Sequence, residues 1–336
     1  MAATTGTSTR ILKPIVSDLY DARIKNAWLQ GWSQGQTKYA ECYQTINITT
    51  QDIATTYLSG LPMWSIKPFG GEITYGTIYQ GYATTITPAS YSEGFIVEME
   101  TMQDDPHGIL AGDLARSLAD MGRYTVDVLA MVQFNTGFTS TVPSVWMSGG
   151  DGQYFFDTDH PILAGGTYAN KPNTGCDFSI AALQAARNSL AKVQGPQGEI
   201  IGLDAELILA PVELRWTIDQ ILASERTPYI SYTYQSSTLV GTTGPEAVNV
   251  VRQGLRAVYN EFLSSSTAWF VRAKLAPFGE SGRPTGPGAT TVAVWRMQPQ
   301  FDRDGDFNTK DRKYSGVMRL GFGRWDWRYW YGNPGA

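Results

Sequence analysis

The sequence predicts an α+β fold, some of whose elements cannot bury their apolar surface without support from neighbouring structure. Three observations predict it: a helix longer than one globular domain requires, a strand-rich segment without a core of its own, and a compact unit in which a helix, a turn, a strand and a second helix follow one another. The chain has 336 residues, 42% of them hydrophobic and 17% charged, which predicts one large or two ordinary domains without long disorder.

Residues 1–60 are predicted to form an N-terminal arm that lies against something else. They contain Trp28 and Trp32 and only short helical patterns around 17–28. An ordinary N-terminal subdomain is the alternative. The opening residues lack the apolar core of a secretory signal, and no run approaches the ~18 apolar residues of a membrane span. We therefore expect no membrane segment and synthesis in the cytoplasm.

Residues 61–100 are predicted to form an extended β-hairpin loop. ITYGTIYQGYATTI is rich in Thr, Tyr and Ile and contains two glycines, and FIVEME follows it. β-Branched and aromatic enrichment between glycines favours long strands. A hairpin with few core residues must be supported by neighbours. Tyr75, Tyr79 and Tyr82 are therefore candidates for intersubunit contact.

A long helix is predicted from about 106 to 136, within a segment 101–176. Asp105 stands before Pro106, a capping residue followed by a proline at the first helical position, and Gly137 is placed to end the helix. About 28 residues would span ~40 Å, against ~12 residues in a usual helix. Gly112 and Gly122 each weaken the helix by ~1 kcal/mol, which favours close packing by a neighbour. The large apolar residues recur mostly three, four and seven apart: Leu110, Leu114, Leu118, Met121, Val128 and Val132.

A compact α/β unit is predicted from 177 to 270, followed by closing strands in 271–336. Asp177 is expected to cap the first helix. AELILAP reads as a buried strand ended by Pro211, and VELRWTIDQILAS reads as a second amphipathic helix. The apolar face of the first helix consists of Leu183, Ala186, Leu190 and Val193.

The stretch DGQYFFDTDHP, residues 151–161, brings together Asp157, Asp159 and His160, one of only two histidines. A metal site would need several His or carboxylate ligands, and only His107 could add a second imidazole. The residue before Pro161 favours extended backbone. We therefore predict a structural connector, with neither a catalytic nor a metal site.

A second acidic segment, 302–311, begins like a calcium loop, with acids at Asp302, Asp304 and Asp306. The pattern then fails, because Gly305 precedes the third acid and position twelve is Lys313 instead of glutamate. A polar turn between two strands is predicted, with an adventitious cation as the alternative.

The Trp-rich stretch GRWDWRYWYG, residues 323–332, has two interpretations. Its aromatic rings could stack on a sugar or base, or they could fill a core or an intersubunit seam. We favour the second, so Trp325 and Trp327 join Trp28 and Trp32 as candidates for intersubunit contact.

The sequence gives little indication of catalysis, cofactor binding or nucleic-acid recognition. We find no nucleophile elbow, P-loop or dinucleotide fingerprint, although a paired-carboxylate enzyme stays open. No cofactor is predicted. The net charge of −5 and the lack of a basic stripe argue against sequence-specific nucleic-acid binding. Cys42 and Cys176 favour two free thiols, with one disulfide as the alternative.

Several phrases occur together in an order that resembles the major capsid (major head) proteins of tailed bacteriophages, in particular the Mu-like branch. GFIVEMETMQDD leads into the long helix, DGQYFFDTDHP follows it, and AALQAARNSLAKVQGPQGEIIGLDAELILAPVELRWTIDQILAS comes next. AWFVRAKL and FDRDGDFNTKDRKYSGVMRLGFGRWDWRYWYG close the series. The resemblance covers roughly residues 60–332.

The resemblance implies the Hong Kong 97 phage capsid fold. The long helix would be the spine of a peripheral domain, 61–100 the extended loop over a neighbouring subunit, 177–270 the axial domain, and 271–336 the return to the peripheral domain. The segment that ends at His160 and Pro161 would link the spine helix to the axial domain. A large removable scaffolding segment is expected to be absent or lost, and crosslinking between a lysine and an asparagine, known in some relatives, is not carried over.

The implied function is self-assembly into the icosahedral head shell, through hexamers and pentamers, around double-stranded DNA that is held without sequence-specific binding. Portal, decoration or scaffolding proteins would be partners. The site of action would be the virion, after assembly in the host bacterial cytoplasm, and the protein would not be an enzyme. The alternatives are an encapsulin-like compartment and, in another class, a carbohydrate-binding or hydrolytic α+β protein.

Overall fold

The computed structural model describes residues 9–35, 37–59, 61–105, 109–140, 146–163, 165–225, 232–235, 238–241, 248–274, 291–306 and 308–336. The helices in these residues are α1 (Thr9–Gln34), α2 (Met99–Asp104), α3 (Ile109–Asn135), α4 (Ile180–Ala191) and α5 (Arg215–Ala223). The strands are β1 (Gln44–Asn47), β2 (Ile53–Leu58), β3 (Gln80–Ile86), β4 (Ala89–Val97), β5 (Met147–Gly149), β6 (His160–Pro161), β7 (Thr167–Tyr168), β8 (Ala205–Ala210), β9 (Tyr232–Gln235), β10 (Thr238–Gly241), β11 (Arg256–Tyr259), β12 (Trp269–Ala273), β13 (Thr291–Gly305), β14 (Arg312–Arg324) and β15 (Trp330–Asn333).

The described residues divide into two compact units. Unit 1 comprises the described residues up to Lys38, with Pro88–Leu129 and Trp295–Leu320. Unit 2 comprises Tyr39–Thr87, Ala130–Val294 and Gly321–Ala336. The five domain ranges predicted from the sequence were assigned by role, and they stay a prediction.

The long helix forms as the sequence predicts. The backbone N–H groups of Ile109 and Leu110 donate to the Asp105 carboxylate over 3.1 and 3.0 Å, which satisfies two donors that a helix start leaves without an intrahelical partner. The helix ends at Asn135, two residues before Gly137. Pro106 and His107 lie outside the described residues.

The inner face of α3 is lined by small residues. Ala111, Ala115 and Ala119 are buried in the core of unit 1, together with Ile24 and Trp28 of α1. The large apolar residues whose spacing indicated the helix lie largely outside: Leu110, Leu114 and Met121 are exposed. Small residues let two helix backbones approach closely, so α1 takes the place beside α3.

Helix α1 corrects the expectation of only short helical pieces in the first 60 residues. It has 26 residues, and from Asp21 onward one side of it is buried in unit 1. The buried Asp21 carboxylate accepts from the Tyr314 hydroxyl over 2.7 Å and pairs with Arg303 and, at 3.7 Å, with Arg312. These contacts tie α1 to strands β13 and β14.

The strand pairing corrects the predicted hairpin. Strand β3 pairs antiparallel with β2, from Ile53 opposite Ile86 to Leu58 opposite Gln80. Strand β4 instead pairs with β14, from Ala89 opposite Leu320 to Val97 opposite Arg312. The hairpin strands are therefore β2 and β3, and residues 61–79 form the loop between them without regular secondary structure.

The predicted helix–turn–strand–helix unit is present in unit 2. The buried strand β8 lies between β11, to which it is parallel, and β12, to which it is antiparallel. Leu183, Ala186 and Leu190 of α4 are buried as predicted. The cap of α4 is Ser179 instead of Asp177, because the Ser179 hydroxyl accepts from the Ala182 N–H over 3.2 Å.

Candidate interaction surface

The histidine in DGQYFFDTDHP lies in a buried polar cluster of unit 2. His160 is fully buried, and its Nδ1 lies 2.6 Å from Asp151 Oδ2. Its Nε2 lies 3.2 Å from Asn170 Oδ1, and its ring stacks on Trp327 with centroids 4.0 Å apart. Of the two aspartates that the sequence placed beside it, Asp159 is exposed.

Asn170 organises this cluster. Its Oδ1 accepts from the Asp157 N–H over 2.8 Å, and its Nδ2 donates to the Phe155 carbonyl over 2.8 Å, which fixes the orientation of the amide. Oδ1 is therefore an acceptor toward the Nε2 of His160. The Asn170 carbonyl also accepts from the Gly332 N–H over 3.0 Å, so the segment is held to the closing strand.

These contacts are those of a structural connector. Among the described residues, no three His, Cys, Asp or Glu side chains are grouped so that they could hold a metal ion. His107, the second imidazole considered, lies outside that part of the chain. Sequence reasoning missed the part that Asp151, Asn170 and Trp327 play in this cluster. A single asparagine carries no local signal that could have identified its role.

The acidic segment 302–311 is the turn between β13 and β14. The Asp306 carboxylate accepts from the Asn308 N–H over 2.9 Å and pairs with Lys313 at 3.1 Å. These hydrogen bonds, led by that from Asn308, hold the pKa of Asp306 below its usual value. Lys310 has φ +64°, a left-handed conformation within this turn. The carboxylate is thus engaged by the turn itself, as in the predicted polar turn.

The Trp-rich closing segment fills the core of unit 2. Trp325, Trp327 and Trp330 are buried, and the Trp330 ring meets Phe134 edge-on at 4.8 Å. Buried rings cannot offer a stacking platform, so the sugar- or base-binding interpretation of this segment is wrong. Their burial also removes the reason for naming Trp325 and Trp327 as intersubunit contacts.

Residues 61–79, which we call the exposed loop, have large apolar side chains that are exposed to solvent. Trp64 is 98% exposed and Tyr75 is 88% exposed, which is extreme for aromatic side chains. The other large apolar residues exposed there are Leu61, Met63, Ile66, Phe69, Ile73, Ile78 and Tyr79. Of the tyrosine candidates, Tyr82 is intermediate in burial and belongs to β3. So many exposed large apolar side chains in one short segment indicate an interaction site.

The base of the exposed loop is fixed. Ser59 N–H donates to the Tyr79 carbonyl over 2.9 Å, and Tyr79 N–H donates to the Ser59 hydroxyl over 2.8 Å. The Gln197 side-chain amide donates to the same hydroxyl and, over 3.1 Å, to the Thr77 carbonyl. Both ends of the loop are therefore held at a defined point within unit 2.

The tip of the exposed loop is a tight turn. Gly71 N–H donates to the Pro68 carbonyl over 3.0 Å, and Gly70 has φ +77°. Positive φ at the third residue is the signature of a type II turn. Phe69, the second residue, is fully exposed at the apex. An apolar side chain is thus presented on a turn that limits its conformational freedom.

Unit 1 contains an apolar pocket of about 450 Å³, which we call the unit 1 pocket. Trp28 and Trp32 of α1 form one side, with ring centroids 6.0 Å apart. Leu118 and Met121 of α3 form another, and Tyr91, Ser92 and Glu93 of β4 a third. Trp28 itself is buried in unit 1 and Trp32 is partly buried, so of these two contact candidates only Trp32 keeps exposed ring area.

Comparison with known proteins assigns most of the chain to a family. A family model described as phage capsid protein matches residues 81–333. The Mu-like prophage FluMu major head subunit of Haemophilus influenzae is 25% identical over 134 residues, which is 40% of this chain and 40% of that protein. The chain thus matches less than half the length of this relative.

Solved structures share the fold. The Mycobacterium phage Patience chain aligns with a TM-score of 0.52 at 9% identity, covering 98% of this chain and 89% of that chain. The Microbacterium phage Oxtober96 chain aligns with a TM-score of 0.51 at 11% identity, over 90% of this chain and 93% of that one. These similarities confirm the coarse fold prediction, a mixed helix-and-sheet capsid fold of the Hong Kong 97 type.

Proposed function

Because the chain belongs to the phage capsid protein family, we propose that it is a major capsid protein that assembles in many copies into the head shell of a tailed bacteriophage. The observation that carries the proposal is the exposed loop, a fixed projection whose apolar residues need a partner. Family membership also agrees with a structural protein and not an enzyme. The shell places the protein in the virion.

The exposed loop supports contact between subunits. Trp64, Phe69 and Tyr75 together offer about 450–750 Å², at roughly 150–250 Å² for each aromatic side chain. About 800 Å² per partner is the size of a standard specific interface. The loop therefore supplies a large part of one interface, and we assign it as the extended loop that lies over a neighbouring copy.

A shell multiplies such contacts. Each copy is expected to bury ~2,000 Å² or more over all its neighbours, the scale of obligate interfaces. Since closed symmetry makes each contact reinforce the others, hexamers and pentamers in a shell are more stable than any isolated pair. Contacts that are individually modest are therefore enough to hold a closed shell together.

The remaining partners follow from this role. We propose that the shell encloses double-stranded DNA, with portal, decoration or scaffolding proteins as further partners, and that it assembles in the host bacterial cytoplasm. The net charge of −5 suits an enclosure that does not grip DNA. A dense basic inner wall in a shell structure would contradict this. No helix in the described part of the chain is long and apolar enough to cross a membrane.

Negative-stain electron microscopy of the purified chain after size-exclusion chromatography tests the proposal. Closed shells, or rings of hexamer and pentamer size, are the expected result. A compact monomer at every concentration would overturn it. Nuclease-protected DNA in particles from infected or induced cells would separate a phage head from an encapsulin-like compartment, which would contain a protein cargo instead.

A further inference from the structure

The unit 1 pocket lies over a position of the sheet that has no side chain. Gly316 stands between Tyr314 and Met318 on β14, and residues two apart on a strand share one face of the sheet. A Cβ at position 316 would lie 3.6 Å from Leu118 Cδ2 and 3.9 Å from Trp28 Nε1, which is ordinary contact distance. The space between this strand and the two long helices therefore has room for the atoms of a ligand.

Aromatic rings form one wall of the pocket. Trp28 and Trp32 stack with their centroids 6.0 Å apart and their planes 22° apart. Trp32 lies close to α3 because position 122 is glycine, where a Cβ would stand 2.9 Å from the Trp32 ring. Tyr91 of β4 adds a third ring to the lining. Since the face of an aromatic ring carries partial negative charge, such a wall favours an apolar group or a cation.

Charge selects between these two kinds of ligand. Glu93 is the one charged side chain among the described residues that line the pocket, and it stands directly opposite Gly316 in the pairing of β4 with β14. Its Oε1 accepts from the Gly94 N–H over 3.2 Å, and no ion pair with a described residue neutralises the carboxylate. A carboxylate beside aromatic rings attracts an organic cation and repels an organic anion.

We propose that the unit 1 pocket is a binding site for a small organic cation, a protonated amine carried on an aromatic body. The rings and the aliphatic side chains of the lining bury the body, and the Glu93 carboxylate pairs with the ammonium group. The volume of about 450 Å³ lies within the ~300–1,000 Å³ of pockets that hold drug-sized ligands. The inference goes beyond the proposed function and does not rest on it, because a chain that forms no shell would still have this pocket.

Two ligands of opposite charge give the first test. Tryptamine and indole-3-propionate have the same indole ring and the same two-carbon linker, but the first ends in an ammonium group and the second in a carboxylate. Isothermal titration of the dissociated full-length chain should show tryptamine binding about tenfold or more tightly than indole-3-propionate. Equal affinities, or no binding of tryptamine at millimolar concentration, would overturn the inference.

A charge-removing variant tests whether Glu93 recognises the cation. Glu93→Gln keeps an oxygen that can accept from the Gly94 N–H, so the strand should fold as before. It should weaken tryptamine binding about fivefold or more and abolish the preference for tryptamine over indole-3-propionate.

Glu100→Gln is the matched control, since Glu100 is an exposed acid of α2 outside the pocket lining. This variant should bind tryptamine as the wild type does. An equal loss in both variants would show that only the overall charge of the chain matters, and no loss in either would show that Glu93 does not bind the amine. Either result would contradict the proposed site and leave the capsid function standing.

Discussion

Gly31 of α1 lies directly against Ala119 of α3. A Cβ at position 31 would stand 3.1 Å from the Ala119 Cβ and 3.3 Å from the Arg116 Cα. The atoms facing Gly31 belong to a helix backbone and a methyl group, neither of which can move aside by rotating a side chain. The distance between α1 and α3 is therefore set by the absence of a side chain at position 31.

Gly31→Ala should destabilise unit 1 in spite of its better helix propensity. Overpacking costs about 1–3 kcal/mol, against roughly 1 kcal/mol gained by replacing glycine in a helix. Gly112→Ala is the matched control, because the nearest atom there, the Ala27 Cβ, is 3.8 Å away. Thermal unfolding of the dissociated subunit should show a lower Tm for the first variant and a raised Tm for the second. A raised Tm for both would contradict the close packing.

The Asp21 carboxylate should hold α1 in place. Asp21→Asn keeps the shape and the contact with the Tyr314 hydroxyl, but removes the charge that faces Arg303 and Arg312. We expect a loss of about 1–3 kcal/mol, less than for a fully buried pair because both arginines are partly exposed. Faster trypsin cleavage after Arg23 or Lys25 of α1 is the readout.

The control for this change is Asp113→Asn on α3. Asp113 forms an exposed pair with Arg116 at 3.2 Å, and such surface pairs contribute ~0–1 kcal/mol. Its cleavage rate should stay close to that of the wild type. Equal rates for Asp21→Asn and Asp113→Asn would show that the Asp21 contacts do not hold the helix.

Local signals made α3 predictable from the sequence. Asp105 and Gly137 mark its ends within a few residues, because capping depends on neighbours along the chain. The hairpin was misplaced because strand pairing is not local. The strand-like run before and after Pro88 reads as continuous, yet β3 pairs with β2 and β4 with β14.

The buried polar cluster around His160 could not be predicted either, because its contacts are also not local in the sequence. The sequence placed Asp157 and Asp159 beside His160, but the side chains that contact the ring come from Asp151, Asn170 and Trp327. Tryptophan at 327 looked like an interface residue because large aromatic rings serve both cores and interfaces. Only the three-dimensional structure shows whether a given ring lies in the core or at an interface.

Asn170→Ala should destabilise unit 2 strongly. It leaves the buried Asp157 N–H and Phe155 carbonyl without the side-chain partners that they have at 2.8 Å. Each unsatisfied buried group costs about 1–3 kcal/mol, so roughly 2–6 kcal/mol is expected for the two groups together. Asn188→Ala, on the exposed face of α4, is the control and should change stability by no more than ~0.5 kcal/mol. Urea unfolding followed by tryptophan fluorescence measures both, and a small effect at Asn170 would contradict its central role.

Cys42 should make the stability of unit 2 depend on alkaline pH. Burial raises the pKa of its thiol from 9.0 to about 12, an effect that the nearby Arg272 only partly opposes. The folded chain keeps this proton up to about pH 12, whereas the unfolded chain releases it near pH 9. The contribution of the buried thiol is therefore fully present below pH 9 and is lost as the pH rises toward 12.

The difference between wild type and Cys42→Ala isolates this effect from other groups. The advantage of the wild type in free energy of unfolding should shrink by roughly 1 kcal/mol for each pH unit above 9. A thiol reagent at pH 8 should label the exposed Cys176 of the folded chain and reach the buried Cys42 only after unfolding. Cys176→Ala should abolish labelling of the folded chain. A difference in unfolding free energy that stays constant from pH 8 to about pH 11 would show that unfolding does not release a protected thiol proton.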